Sequence, residues 1–483
     1  MFQLIDQILH QFRSSFKRKA TWRWFAVIML GFMVRNRHRG VSSIISDLRL
    51  KPRVYHSVLH FFRSDAYEVV DIDKKWTEIV VTDPFILMVG GRVVNVGDHI
   101  KLAKEGRRMP DIRILHQESE NSGKGEFIAG HTFAQIGAVM TSGSIARYIP
   151  LATQAQQSPP KIPGTDKPDG DTLVVQMVKL GLDVAEYTYE ATGRSTIIAV
   201  DAYFSKYTAF QAAKTRLTTD GRPLMSIVTR AADNYVGFTP PVSKSSGKRS
   251  PGRPRKYGGK VVLKDLFGDM SAFTETTMTL YGKKSKVKYL CVDLLWKPLG
   301  EIVRFVLLDS EWGKCVLMTD DLTISPEDIV AVYSLRFKIE TSFNEQKNDI
   351  GCFAYHFWTM SLAKRQRRKA SLPPTDETAQ EKITKTKKAV SSFVCMGAIA
   401  TGILTIIAFK HDCEIWKRYP GWVRTLRTRI PSVSVVRETI SADFHALLRH
   451  FPSLAISKTV LPLLRCEDYW YARFNHDVFD ETA

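Results

Sequence analysis

Two apolar, β-branched runs in this chain each close on an aspartate: RVVNVGD at Asp98 and STIIAVD at Asp201. Runs of this kind read as buried strands. A carboxylate at the end of a buried strand is costly unless it is paired or holds a metal. The pattern therefore asks for an α/β interior with a charged site at its strand ends. A third acid, Glu340, lies in AVYSLRFKIETSFNEQK, Ala331 to Lys347. Placed on one helix, Tyr333, Arg336, Glu340 and Lys347 share a face beside apolar Val332, Ile339 and Phe343. One carboxylate, two cations and a phenol on such a face suit a metal ion and a phosphate. The plain alternative is a surface helix with an i,i+4 Arg–Glu pair. Two aspartates and a helical glutamate can together supply the oxygen ligands of a Mg²⁺ pair.

Lys plus Arg number 69 against 49 acids, a formal charge of +20, which suits a polyanion such as nucleic acid. None of the six cysteines forms a C-x-x-C pair, so neither zinc nor a dithiol motif is indicated, and the spacing fits reduced thiols in a cytosol. No signal peptide is expected. No G-x-x-x-x-G-K-[ST] loop is present, which excludes ATP hydrolysis of that type. Ser391 to Phe409 carries no charge and is long enough to span a membrane, yet its Ser, Thr and Gly residues favour a helix buried in a domain core.

Taken in order, five regions are expected. Residues 1–82 read as helical. GVSSIISDLRL and KPRVYHSVLHFFRS form a helix pair like a helix-turn-helix, capped at Val41 to Ser43. It would turn Lys51, Arg53, His56 and Arg63 to DNA, or it only packs. Residues 83–235 give three strands, a helix, a strand, a helix and a strand, the order of an RNase H-like domain. Residues 236–325 hold a basic linker and a run of alternating strands. In the linker, Gly252-Arg253-Pro254-Arg255 is similar to an AT-hook, whose arginines, Arg253 and Arg255, would follow a minor groove; a flexible basic linker is the alternative. Residues 326–410 return to the α/β region, with Ser325 capping the helix that carries Glu340. Residues 411–483 read as helical and available for dimer contact.

The spacing Y-x2-R-x3-E-x6-K, met by Tyr333, Arg336, Glu340 and Lys347, resembles the signature of insertion-sequence DDE transposases of the IS-four branch. Asp201 followed by Ala-Tyr-Phe resembles that branch's second-aspartate motif, and Asp98 stands where the first would. The resemblance covers roughly residues 90 to 410. It implies an RNase H-like mixed sheet with helices, interrupted by a β-rich insertion and preceded by a helical DNA-binding domain. It also implies a metal-dependent transposase that cuts at inverted-repeat ends and joins them to target DNA. Asp98, Asp201 and Glu340 would hold two Mg²⁺ ions about 4 Å apart, with Mn²⁺ as a substitute. Tyr333, Arg336 and Lys347 would hold the phosphates of the DNA end. Some members flip a base onto an aromatic residue of the insertion, for which Trp312, at a hairpin tip, and Trp296 are candidates; a core tryptophan is the alternative for each. The implied partners are double-stranded DNA and a second copy of the chain when two ends are synapsed, in a prokaryotic, nucleoid-associated cytoplasm with no membrane.

Two other readings stay open: a non-catalytic DNA-binding derivative of a transposase, and an RNase H-like nuclease that cleaves without joining. Asp83 and Asp111 are rivals for the first aspartate. Asp83 looks like a turn residue and Asp111 follows a basic loop. His99 and His131 are expected to be structural or phosphate-near rather than metal ligands. Lys101 and Lys104 face either phosphate or solvent.

Overall fold

The expected alternation of strand and helix signals appears in a computed structural model that describes residues 1–36, 40–117, 126–157, 171–232, 234–241, 255–366, 369–370, 376–424 and 428–465. Mixed α/β architecture is observed. The chain divides into two compact units. One holds Met1–Trp76, Lys101–His131 and Phe343–Ala483; the other holds Thr77–Ile100 and Thr132–Ser342.

The described strands are β1 (Met88–Val89), β2 (Arg92–Ala103), β3 (Arg113–His116), β4 (Phe127–Ser142), β5 (Ile145–Ala155), β6 (Thr196–Ala199), β7 (Met225–Arg230), β8 (Val236–Phe238), β9 (Lys260–Val262), β10 (Thr274–Leu280), β11 (Lys283–Trp296), β12 (Glu301–Ser310) and β13 (Gly313–Thr319). In the second unit the sheet runs β4-β2-β6-β7-β13-β12-β11-β8-β9. Strand β5 pairs with β4, β1 with β2 and β10 with β11. At its centre β2, β6 and β7 are parallel. All four residues of β6 are buried, so the central strand reads as a continuous apolar run. Helices Asp171–Thr192 and Tyr207–Ala213 provide the crossovers on either side of β6.

The strands between Asp201 and Glu340 do not form a separate module. Strand β13 pairs antiparallel with β7, Thr319 opposite Val228, so the inserted hairpins extend the central sheet. The strand carrying Asp98 also differs from expectation. It does not stop there but continues to Ala103. Its ladder with β6, however, ends at Val96 opposite Ala199.

The first unit is mainly helical. The uncharged stretch Ser391 to Phe409 lies inside a helix spanning Glu377–Lys410 that is long and apolar enough to cross a membrane. Its apolar window is buried within the structure, as in the core of a soluble protein. It packs on helices Lys19–Val34, Val54–Arg63 and Val433–His450. Helices Val433–His450 and Ala455–Val460 thus share a core with the N-terminal helices.

The helix pair forms at Val41–Asp47 and Val54–Arg63. The expected cap at Val41 to Ser43 does not. Helix one starts after Gly40, whose φ of +67° favours glycine, and the Ser43 hydroxyl donates back to the Gly40 carbonyl. Arg53 and His56 are exposed. The Lys51 ammonium donates to the Pro462 carbonyl and Arg63 to the Trp358 carbonyl.

Candidate active site

The parallel register decides where the two aspartates meet. Val96 lies opposite Ala199 and Ala199 opposite Val228. Asp98 and Asp201 each follow by two residues the last pair of the β2–β6 ladder, and the Asp201 charge is felt at Asp98; Arg230, two residues after Val228, is still paired with Leu317 of β13. The β2–β6 ladder stops two residues before the aspartates, although β2 itself continues to Ala103. Arg230 was not among the candidates read from the sequence. The signal was available, since LMSIVTR ends on a charge as RVVNVGD and STIIAVD do.

Asp201 is fixed by its own turn. Its carboxylate caps the short helix Ala202–Phe204, accepting the Tyr203 N–H at 3.1 Å, while its carbonyl accepts the Thr229 hydroxyl at 2.6 Å. The Asp98 carboxylate accepts the His99 N–H at 2.7 Å and the Arg336 guanidinium at 3.2 Å. Arg336 also donates to Glu340 at 2.8 Å. One guanidinium therefore joins the first aspartate to the glutamate.

The segment Ala331 to Lys347 is not one helix. It is a helix at Pro326–Ser334, a tight turn through Arg336, a second helix at Lys338–Asn344 and a π-helical turn at Glu345–Ile350. Ser325 caps the first helix, accepting the Asp328 N–H, with Pro326 at the first position, as expected. The break follows from local competition. The Ser334 hydroxyl donates to the Ala331 carbonyl, and the next amides, Leu335 and Arg336, bond three residues back rather than four. Four side chains on one continuous helical face thus give way to a bent segment. Its turn places Arg336 between the two acids. Lys347, in the π-helical turn, is exposed and belongs to the first unit.

Electrostatics bear out the crowding. The Asp98 carboxyl is pushed up to about 7, first by burial and then by the Asp201 charge. Glu340 adds to this, while the His99 N–H and Arg336 oppose it. Burial also pushes the Tyr333 phenol up to about 12, with Arg336 and Arg230 pulling the other way. The side chain of Asp98 is 20% exposed and that of Glu340 58%, so the glutamate approaches from the solvent side.

Among the described residues no three histidine, cysteine, aspartate or glutamate side chains are grouped so as to hold a metal ion. Arg336 lies between Asp98 and Glu340. The donor types themselves suit a hard cation: three carboxylates, with Asp98 raised first by burial and then by the charges of Asp201 and Glu340.

Beside these residues, two hairpin tips converge. Trp312 lies in the turn between β12 and β13, 44% exposed, with Tyr281 edge-on at 4.8 Å. Tyr281 and Gly282 turn the β10–β11 hairpin, both at positive φ as a two-residue hairpin loop requires, and Tyr281 lies 5.2 Å from Phe337. Trp312, Tyr281, Arg230, Cys315 and Tyr333 line a pocket of about 130 Å³. Sequence reading missed Tyr281 and Phe337. Trp296 is core, 3% exposed and stacked on Tyr235.

The remaining candidates fall outside this constellation. Asp83 is a turn residue, accepting the Phe85 N–H. Asp111, at φ +57°, pairs with Lys387. His131 is structural: its ring bonds the Tyr355 hydroxyl at 2.6 Å and the Pro110 carbonyl at 2.7 Å, and burial holds it down to about 4. Lys104 donates to the carbonyls of Phe353 and Tyr355, and Lys101 to the His116 carbonyl. Arg255 is exposed, whereas Arg253 lies outside the described residues.

No protein-family model matches the chain, and no curated protein is significantly similar to it.

Proposed function

We propose that this chain is a DNA transposase with an RNase H-like catalytic domain, cutting at the ends of a mobile element and joining them to target DNA by metal-dependent phosphoryl transfer. The observation that carries this reading is the shared register of Asp98 and Asp201, with Arg336 linking Asp98 to Glu340. The sheet order supports it. With the short β3 at the edge of β4 left out, and numbering from β2, the strands β5-β4-β2-β6-β7 read 3-2-1-4-5, the RNase H-like order. The resemblance of Tyr333, Arg336, Glu340 and Lys347 to the transposase signature supports it independently.

Asp98, Asp201 and Glu340 would hold two Mg²⁺ ions, or Mn²⁺. These ions, when bound, would activate a water or a 3′-hydroxyl and stabilise the leaving oxygen at phosphorus. Asp98 serves as a carboxylate, so the proton it keeps below about pH 7 has to leave first. Arg336 exchanges its two carboxylate partners for a phosphate of the DNA end, for which its planar fork is suited. Tyr333 contacts the same end, Lys347 holds a DNA phosphate, and Trp312 offers its exposed ring to a base. Arg253 and Arg255 follow the duplex. A homodimer synapses the two ends.

The test is cleavage of labelled element ends in Mg²⁺ by wild type, Asp98→Asn, Asp201→Asn and Glu340→Gln. Cleavage by wild type, lost in each variant while binding survives, is expected. Wild-type binding without cleavage in either Mg²⁺ or Mn²⁺ would leave a DNA-binding derivative. Cleavage with no strand joining would leave a nuclease.

A further inference from the structure

The first unit contains a groove that this chemistry does not use. Ala103 to Met109 form one wall and His356, Trp358, Met360 and Lys364 the other, around a volume of about 840 Å³. The walls are tied through backbone. The Thr359 N–H donates to the Arg108 carbonyl at 3.1 Å and the Arg365 N–H to the Arg107 carbonyl at 3.0 Å. The buried Arg365 guanidinium adds bonds to the carbonyls of Gly106 and Lys104. The groove is thus held open by groups that do not need its occupant.

Its chemistry is uneven. Lys104, Arg107, Arg108 and Lys364 face one acid, Glu105. Lys104 and Arg108 are partly engaged, the first on Phe353 and Tyr355, the second on the Met360 carbonyl. Arg107 and Lys364 are exposed at the rim. Between these cations Trp358 is 53% exposed and Met360 69%. A large indole left open to water is informative where a small exposed aliphatic is not. Cations with an open aromatic face are the means by which proteins hold unpaired strands. The cations take phosphates, and the ring takes any base, because every base has a π-face. A duplex offers the phosphates but keeps its base faces stacked. An acidic peptide offers charge but no flat partner for the indole.

We propose that this groove binds a single-stranded nucleic-acid segment, with Trp358 stacked on a base and Arg107 and Lys364 against the flanking phosphates. The inference stands apart from the catalytic reading, because it needs neither metal nor cleavage.

The test is fluorescence anisotropy of labelled oligothymidylate and oligouridylate of about 12 nucleotides, and of a blunt duplex, with the full chain in EDTA. Trp358→Ala is expected to weaken single-strand binding by roughly 5- to 100-fold, the loss of one stacked base, and to leave duplex binding within about twofold. Trp358→Phe should recover most of it. Arg107→Gln with Lys364→Gln should lower the slope of log affinity against log salt by about 1.4, two phosphates at about 0.7 each. Tighter binding of either oligonucleotide supports the groove and names its source as DNA or RNA. Unchanged single-strand affinity in Trp358→Ala overturns the proposal, as does an equal loss for strand and duplex. Preference for phosphatidylserine vesicles over both oligonucleotides also overturns it. A chain that binds strands but cuts no ends would keep this inference while losing the catalytic one.

Discussion

Replacing Arg336 by methionine removes a cation that bridges Asp98 and Glu340, and its cost should depend on pH. The bond to Glu340 is made to a side chain 58% exposed, so solvent screening limits it to about 0.5 kcal/mol. The bond to Asp98, whose side chain is 20% exposed, is charge-assisted and half-buried, about 1.5–3 kcal/mol. Together they amount to roughly 2–3 kcal/mol when Asp98 is ionised. Its carboxyl titrates near 7 in the folded chain against an ordinary value of 3.8. The folded state therefore keeps a proton that the unfolded state releases, and stability falls as pH rises from about 4 to about 7, then levels. Without Arg336, a group that holds this value down is lost, so the fall becomes deeper and reaches higher pH. Urea unfolding of wild type and Arg336→Met in EDTA should show a loss of about 1 kcal/mol near pH 5.5, where Asp98 is protonated. It should show 2–3 kcal/mol near pH 8.5. Arg336→Lys, which keeps the charge but not the fork, should recover part of it. A loss independent of pH, or larger in acid, would refute the bridging role.

Asp98→Asn should make the chain more stable and inactive. The step from 3.8 to about 7 corresponds to about 4 kcal/mol at about 1.4 per tenfold, so the variant should gain about 2–4 kcal/mol at pH 8 and less than about 2 at pH 5 by urea unfolding. Added Mg²⁺ should stabilise wild type but not Asp98→Asn in the same assay, by about 1.4 kcal/mol at ten times the dissociation constant. Arg35→Met should cost about 3–5 kcal/mol by thermal unfolding, because the fully buried guanidinium donates to the carbonyls of Ile350, Gly351 and Gly40 and would leave them unpaired. Gly130→Ala should prevent folding to a protease-resistant state, since a Cβ there would lie 1.8 Å from the Leu102 carbonyl oxygen, a backbone atom that no rotamer change can move.

The sheet was legible wherever one property dominated locally. Thr196–Ala199 and Met225–Arg230 are apolar and β-branched because they are buried, so their sequence announces them. The strands of the insertion alternate and are bounded by turn residues such as Tyr281-Gly282, and they too could be read. What could not be read was partnership. That β13 would pair with β7, making the insertion an extension of the sheet, depends on contacts far apart in sequence. So does the grouping of the last helices with the first ones around Glu377–Lys410. Strand β3 went unseen because Arg113–His116 is short, half-exposed and follows a basic loop.

The candidate site shows the same division between identity and arrangement. Residue types and spacing were enough to single out Asp98, Asp201, Glu340 and Arg336, because acids after buried runs and a mixed-charge helix face are costly and therefore conspicuous. Their relation rests on two facts that no periodicity contains. The first is register. A slip of one residue between β2 and β6 would turn one aspartate to the opposite face of the sheet, so the pairing of Val96 with Ala199 aligns Asp98 with Asp201. The second is the break after Ser334. On a continuous helix Arg336 would lie along the helix surface and reach Glu340 alone, as any i,i+4 pair does. The three-residue hydrogen bonding of Leu335 and Arg336 bends the chain there, and the guanidinium reaches Asp98 on the strand as well. The four-residue spacing that suggested a helical face is kept, but the bend lets one arginine contact both acids. A substitution that restored regular helix through Ser334, such as Ser334→Ala, should therefore weaken the contact between Arg336 and Asp98 while sparing that with Glu340. The spacing of Arg336 and Glu340 is then that of a turn between two helices, and the bridge to Asp98 depends on that turn.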